Sequence, residues 1–459
     1  MEKLTSIIKS INFCLSDYVL VILLSLCGIY FSIRTRFVQV RCLKDGMRSL
    51  KASGKGAGIS PVKALATAVG AQIGIGNMVG ACSAILTGGP GALLWMWVIS
   101  FFGMASIYAE AVLAQKTRIT ASDGSFTGGP VLYIQKAFPG KAGRLMAGFF
   151  AIATVISLGF AGSMVQSNAM AAACREAFNI PPWISGVIIA ACCGLVFPGG
   201  IRRISALSEK IVPLMALIYM GGGIALLICR IRFLPEAIAL IIKYAFRPDA
   251  IIGGSVGMAL KTAVSQGVKR GLFSNEAGMG STPHAHAAAN ADNPHDQGVV
   301  AMLGVFIDTF LVLTVTGLAV VTTLYAGNGP LGENAVPGAA EGITQDNMVS
   351  IALGGMFGAG VSRVFVSVCL LLFAFSSIIS WNYFGRINAL YLRGKKAIPV
   401  YSAVSLIFIF VGCVINGDIV WELADMFNQL MVIPNVLALF KLSSTAAKAA
   451  RHHKLKRNI

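Results

Sequence analysis

Long apolar runs, parted by short polar or basic connections, divide this chain into eleven candidate membrane spans of about 20 residues each. They fall near residues 18–33, 60–86, 91–113, 145–170, 183–198, 211–229, a run opening near 251, and then 298–325, 361–383, 399–416 and 419–440. Two of these runs are interrupted. The stretch ALATAVGAQIGIGNMVGACSAILTGGPG, from Ala64 to Gly91, is apolar, yet it holds Gly70, Gly74, Gly76 and Gly80 with Gln72 and Asn77 among them. A continuous helix there would contain several poor helix formers and leave two amides in lipid. The pattern instead predicts a helix that breaks in mid-membrane, which is tolerated only where protein or a water-filled cavity surrounds the freed backbone groups. The second interrupted run, IIGGSVGMALKTAVSQGVKRGLFSNEAGMGS, opens near Ile251.

Each interrupted run opens a set of five spans, one over residues 60–230 and the other over 251–440. An odd number of spans per set inverts the second copy, and broken helices at matching places in inverted halves point to a binding site at the midplane. The run near 18–33 is an extra helix, preceding a basic connection within residues 1–59. Residues 441–459 form a basic tail.

Composition fits a bilayer protein. The hydrophobic fraction is 56%, the charged fraction 12% and the mean hydropathy +0.75, whereas soluble domains are about one quarter charged. The net charge of +18 would suit nucleic acid or anionic lipid, but its placement explains it differently. Most of the 37 Lys and Arg fall in 34–63, 114–144, 199–210, 386–396 and the tail, all on one side of the alternation. The positive-inside rule then puts the N-terminus outside and the C-terminus in the cytoplasm of a cell (plasma or inner) membrane. The tail would rest on anionic headgroups. The ten cysteines are scattered through apolar runs without metal spacing and read as packing residues. His284, His286 and His295 fall in an Asn/Asp-rich stretch and read as a solvated loop.

In the first interrupted run, GAQIGIGN would turn backbone N–H groups and the half-helix dipole toward a carboxylate. Its carbonyls and the Asn77 amide oxygen would suit a hard cation. The plain alternative is close packing through the Gly70/Gly74 and Gly76/Gly80 pairs; the second interrupted run favours a site. That run offers Ser274, Asn275 and Glu276. Glu276 reads as a cation ligand, a proton carrier, or a structural carboxylate paired with Lys269 or Arg270. Ser376 and Ser377 place adjacent hydroxyls deep in an apolar helix, one turn before Trp381. They suit a sodium site or simple bonding to their own helix. Gln166 and Asn168 would bind a small polar substrate or hold helices together. Asp308 and Glu110 are buried acids without an assigned partner. No P-loop or HExxH motif supports an enzyme.

At GIGNMVGACSAILTGGPGALLWMWV, FTGGPVLYI, RGLFSNEAGMGSTP, IDTF at 307–310 and FAFSSIISWNY, the chain resembles the alanine or glycine:cation symporter family, sodium-coupled amino-acid carriers. The resemblance runs over about 60–440. It implies a LeuT-type fold, all-α, with five plus five inverted helices and one extra N-terminal helix. It implies that Gly74–Asn77 binds the substrate carboxylate, that Gln166 contacts substrate, and that Trp381 and Phe160 wall a small pocket. Sodium would sit between the first break and Ser376/Ser377. Two positions depart from the family pattern: Ile75 stands where Thr is more common, and Ser377 stands where Thr is frequent.

Residues and resemblance together give a substrate set of Gln72, Gly74, Ile75, Gly76, Asn77, Phe160, Gln166, Ser274, Asn275 and Trp381. The sodium set is Gly74, Asn77, Ser376 and Ser377. The expected activity is import of a small neutral amino acid, alanine or glycine first, by Na+ symport and alternating access. No organic cofactor, nucleic acid or obligatory protein partner is expected. A proton-coupled carrier relaying through Glu276 or Asp308 is the alternative, and a channel a more distant one.

Overall fold

The computed structural model describes residues 2–51, 58–121, 124–246, 256–332, 340–415 and 418–457. Beyond one two-stranded hairpin (Ile119–Thr120 with Phe126–Thr127), its regular structure is helical. The principal helices are α1 (Ile7–Arg34), α2 (Pro61–Gln72), α3 (Gly76–Gly88), α4 (Ala92–Thr117) and α5 (Lys141–Phe178). They continue as α6 (Pro182–Val196), α7 (Gly200–Cys229), α8 (Leu234–Phe246), α9 (Val256–Asn275) and α10 (Pro283–Ala287). The last are α11 (Pro294–Tyr325), α12 (Met348–Phe357), α13 (Ala359–Arg393), α14 (Ala397–Val414), α15 (Asp418–Lys441) and α16 (Ser443–Arg457).

Eight helical runs among the described residues are long and apolar enough to cross a membrane, or nine if α2 and α3 count as one bent span. The run Pro182–Cys229 contains two of the expected spans, α6 and α7, separated by a 3-10 turn at Phe197–Gly199 before Gly200 at φ +55. The basic connection expected over 199–210 is instead the opening of α7, which begins at Gly200. The 20-residue α9 matches the remaining expected span in length, but Lys261, Lys269 and Arg270 make it less apolar than the others. The start of that run, 251–255, lies outside the described residues.

Both interruptions are breaks. Helices α2 and α3 meet at 53°, with Ile73 leaving helical geometry at φ −76, ψ 85. After α9, Glu276, Gly278 and Gly280 take φ +54, +84 and +88. Three left-handed residues in five cannot continue a right-handed helix, so the chain turns before restarting at Pro283. A proline suits a first helical turn because its missing N–H would have no helical partner there.

Small residues let these elements approach closely. A Cβ on Gly267 would lie 2.4 Å from the Ala92 carbonyl, and one on Gly271 would lie 3.1 Å from the Met96 Cα. This i, i+4 glycine pair therefore seats α9 directly on the backbone of α4. Outward-facing Leu145, Leu195 and Leu217 are 77%, 72% and 74% exposed, as suits side chains that meet lipid. The tail is helical in α16. Ser443 bonds Tyr30 Oη at 2.9 Å, and Ala446, Ala447 and Ala450 are buried.

The histidines correct the sequence reading. His284, His286 and His295 are buried, not solvated. His284 lies in α10, its Nδ1 2.7 Å from the Ser281 carbonyl and its Nε2 2.9 Å from Asn388. His286 meets Gln297, and His295 meets Tyr108, each at 2.7 Å. Each polar ring gains a partner within the bundle, so the Asn/Asp-rich composition around it misled.

The α4–α9 contact yields a paired test. Gly267→Ala is expected to lower the melting point in detergent by an amount corresponding to about 1–3 kcal/mol of overpacking. Gly221→Ala, in mid-α7 with nothing within 4 Å of its new methyl, is expected to leave melting unchanged or raise it through about 0.5–1 kcal/mol of helix propensity. Equal melting of the two variants would disprove the backbone seat.

Candidate substrate and ion site

The first break frees carbonyls at the end of α2, and α13 brings two hydroxyls to them. Ser376 Oγ lies 3.1 Å from the Gly70 carbonyl and 2.8 Å from that of Phe373. Ser377 Oγ lies 3.1 Å from the Gly70 carbonyl, 3.4 Å from Ala71's and 3.1 Å from Phe373's. Both serines are fully buried. Five oxygens from two helices thus converge with no charged group among them, a donor set that suits a hard monovalent cation. Gly74 borders the cluster so closely that a Cβ would stand 2.7 Å from Ser377 Oγ and 3.3 Å from Gln166 Nε2.

Asn77 does not join the serines as the sequence reading expected. Its amide nitrogen donates to Asp308 Oδ1 at 2.8 Å, and its Oδ1 accepts from Ser274 Oγ at 2.9 Å. Thr309 Oγ1 also donates to Asp308, at 3.0 Å. These bonds tie α3 to α9 and α11 and enclose Asp308 completely. Asn77 and Asp308 both lie in single π-helical segments, Gly76–Gly80 and Phe306–Leu313, where the extra residue per turn turns side chains away from the α-helical register.

The second break is held from three sides. Glu110 of α4 accepts from the Gly278 N–H at 3.0 Å and from Asn435 Nδ2 at 2.7 Å. Asn435 of α15 also donates to the Gly278 carbonyl at 2.8 Å and accepts from Tyr133 at 2.5 Å. Glu276 accepts from Trp381 Nε1 at 2.8 Å and from the Ser281 hydroxyl. Of the three readings of Glu276, pairing with Lys269 or Arg270 is not what the structure shows: Glu276 meets Trp381 and Ser281, and Arg270 reaches Ser83 at 3.3 Å. The breaks also touch each other, since Gln72 Nε2 donates to the Asn275 carbonyl at 2.7 Å.

Between the breaks lies a cavity of about 610 Å³, a size in the range of ligand sites. At depth it is lined by Gln72, Gly74, Ile75, Gly76, Gln166, Ser274, Glu276 and Trp381; Asp346 and Arg363 line it beside α12 and α13. Half-helix α3 begins here without a side-chain cap on its amino end. The predicted residues therefore separate into two groups. Asn77 and Asn275 are fully buried off the cavity, and the Asn275 side chain bonds Ser100 at 2.7 Å. Phe160 also lies off it, stacked on Phe408 at 5.0 Å and beside Tyr401. Its π-helical segment, Val155–Gly162, points the ring toward α14 instead. Phe273, Leu158 and Val165 supply apolar wall in its place; Phe273 stands beside the Ser274 singled out from sequence. Asn168 bonds the Gly412 carbonyl at 3.0 Å and joins α5 to α14.

Two broken helices around a cavity are the arrangement of a LeuT-type membrane carrier. The fold is similar to MhsT, solved in complex with L-phenylalanine, at TM-score 0.56 and 13% identity over 88% of this chain and 99% of that one. It is also similar to a manganese transporter of Eremococcus coleocola at TM-score 0.53 and 15% identity, over 84% and 77%. The model of the sodium:alanine symporter family matches residues 1–458. The sodium/alanine symporter AgcS of Methanococcus maripaludis is 35% identical over 97% of this chain and 96% of its own. The probable sodium/glutamine symporter GlnT of Bacillus subtilis is 38% identical over 98% and 91%. This chain belongs to the sodium:alanine symporter family, and it is a multi-pass membrane transporter rather than an enzyme.

The clasp on the second break is open to test. Glu110→Ala would orphan the Gly278 N–H and one donor of Asn435, at about 1–3 kcal/mol for each buried unpaired group. A melting point in detergent several degrees below the parent's is expected, with partial recovery in Glu110→Gln. Parental melting of Glu110→Ala would show that the break is held without the carboxylate.

Proposed function

We propose that this transporter imports a small neutral amino acid, alanine or glycine first, by symport with Na+ and alternating access. The observation that carries the reading is the convergence of Ser376 and Ser377 on the Gly70 and Ala71 carbonyls, at the point where α2 ends. Sodium among these oxygens would tie α13 to the broken helix and hold the break open for substrate. The substrate carboxylate would meet the uncapped amino end of α3, where N–H groups and the helix dipole favour an anion. Gln166, Ser274 and Trp381 would surround the rest, and the Ile75 side chain would narrow the pocket toward small substrates.

Residues 60–230 and 251–440 would form the two inverted repeats, with α1 peripheral. The Lys and Arg distribution favours an outside N-terminus and a cytoplasmic C-terminus. The names of AgcS and GlnT, a sodium/alanine and a probable sodium/glutamine symporter, agree with both the coupling ion and the substrate class.

The test is uptake of labelled L-alanine into proteoliposomes under an imposed sodium gradient. Uphill uptake that vanishes when choline replaces sodium is expected. In Ser377→Ala the sodium concentration for half-maximal uptake should rise about tenfold or more, as when a metal site loses a supporting group. Equal uptake in sodium and choline would refute sodium coupling. Uptake driven by a pH gradient alone would favour proton coupling through the buried carboxylates.

A further inference from the structure

The cavity contains one feature that sodium and a substrate carboxylate leave unexplained. Glu276 is a carboxylate 5% exposed that lines the cavity at the level of the first break. The groups that hold it, the Trp381 indole N–H and the Ser281 hydroxyl, are both neutral, and among the described residues no ion pair neutralises it. A carboxylate has about four acceptor positions, so these two bonds leave capacity. Its backbone sits at φ +54, a conformation costly for a residue with a side chain, kept where the chain turns out of α9. Asp308 is consumed by Asn77, Ser274 and Thr309 and does not line the cavity.

A second acceptor stands on the same wall. Gln166 is 4% exposed, and its Oε1 has no hydrogen-bond partner. It lies one turn after Gly162, whose hypothetical Cβ would touch the Trp381 ring at 3.0 Å, so the face of α5 that carries Gln166 packs against Trp381, the residue that holds Glu276. A buried acceptor without a donor costs free energy, which a ligand carrying N–H groups would recover.

We infer that Glu276, with the Gln166 amide oxygen, recognises the ammonium group of the substrate and makes the site selective for amines. This deepens the symport reading and rests on it. A zwitterion then lies with its carboxylate at the uncapped end of α3 and its ammonium against Glu276. Buried acceptors of this kind reject an analogue that lacks the donor, because they remain unpaired when it binds.

The experiment measures binding and uptake of L-alanine, with L-lactate and propionate as competitors lacking the amine, in the parent and in Glu276→Gln. In the variant, half-saturating L-alanine is expected to rise about tenfold or more, the loss of one charge-assisted bond. The preference for L-alanine over L-lactate should shrink equally, with the sodium requirement unmoved. A raised sodium requirement with the alanine-to-lactate preference intact would overturn the assignment and make Glu276 an ion ligand. Unchanged alanine affinity would overturn it too. If Glu276→Gln does not melt cooperatively, Gln166→Leu provides the reading: raised half-saturating alanine with parental sodium dependence supports the paired acceptors, and parental alanine affinity overturns them. A parent that binds L-alanine but never accumulates it would refute only the symport reading.

Discussion

Backbone polar groups in a hydrocarbon layer must find partners within the protein, and the rest of this structure follows from how two broken helices satisfy that constraint. A helix end exposes up to four N–H or four C=O groups, so each break creates a need that its own strand of chain cannot meet. At the first break, Ser376 and Ser377 of α13 meet the carbonyls of Gly70 and Ala71. At the second, Glu110 of α4 and Asn435 of α15 meet the N–H and the carbonyl of Gly278. Gln72 joins the two breaks directly. The site geometry is therefore a property of how α4, α13 and α15 pack, and the Gly267 and Gly271 contacts of α9 with α4 lie directly before the cavity-lining Phe273 and Ser274.

The three buried acids of this region differ in what their surroundings leave them free to do. Glu110 is occupied by a backbone N–H and an amide, and Asp308 by an amide and two hydroxyls. Both are enclosed, and both bind elements to each other. Glu276 accepts only two neutral donors and faces the cavity. Residue type alone made the three equivalent; burial and bond count distinguish bracing from recognition.

The breaks and the serine pair were legible in sequence because each violates a local rule: glycines and amides inside an apolar span, and adjacent hydroxyls deep in another. Such violations mark functional places in a chain that is otherwise consistent. What sequence could not supply was direction. Phe160, Asn77 and Asp308 all lie in π-helical segments, and an added residue per turn rotates every side chain away from the face that α-helical spacing assigns. Phe160 stacks toward α14 and Asn77 meets Asp308 and Ser274, orientations that neither the break nor the resemblance specified. The histidines failed for another reason. Their Asn/Asp-rich neighbourhood resembles a loop by composition, while burial came from tertiary partners such as Tyr108 and Gln297 that lie far away or carry no local pattern.

The two ends of the site are held by different means. Beyond the break in one direction, the cavity continues between side chains to Asp346 and Arg363, and Arg363 meets Glu176 only at 3.7 Å, with both side chains more than half exposed. Such a contact contributes little. In the other direction α2 leads back to Ile59, whose N–H bonds the Ala288 carbonyl at 3.0 Å and whose carbonyl accepts from Asn290 at 2.7 Å. Gln115 adds bonds to the His286 and Ala289 carbonyls. These are paired backbone groups sealed by a buried amide, so opening that end exposes several donors and acceptors at once. The cost of opening is thus unequal at the two ends. In the proposed symport cycle, an ion at Ser376 and Ser377 would tie α2 to α13 and so bear on the end that is harder to open.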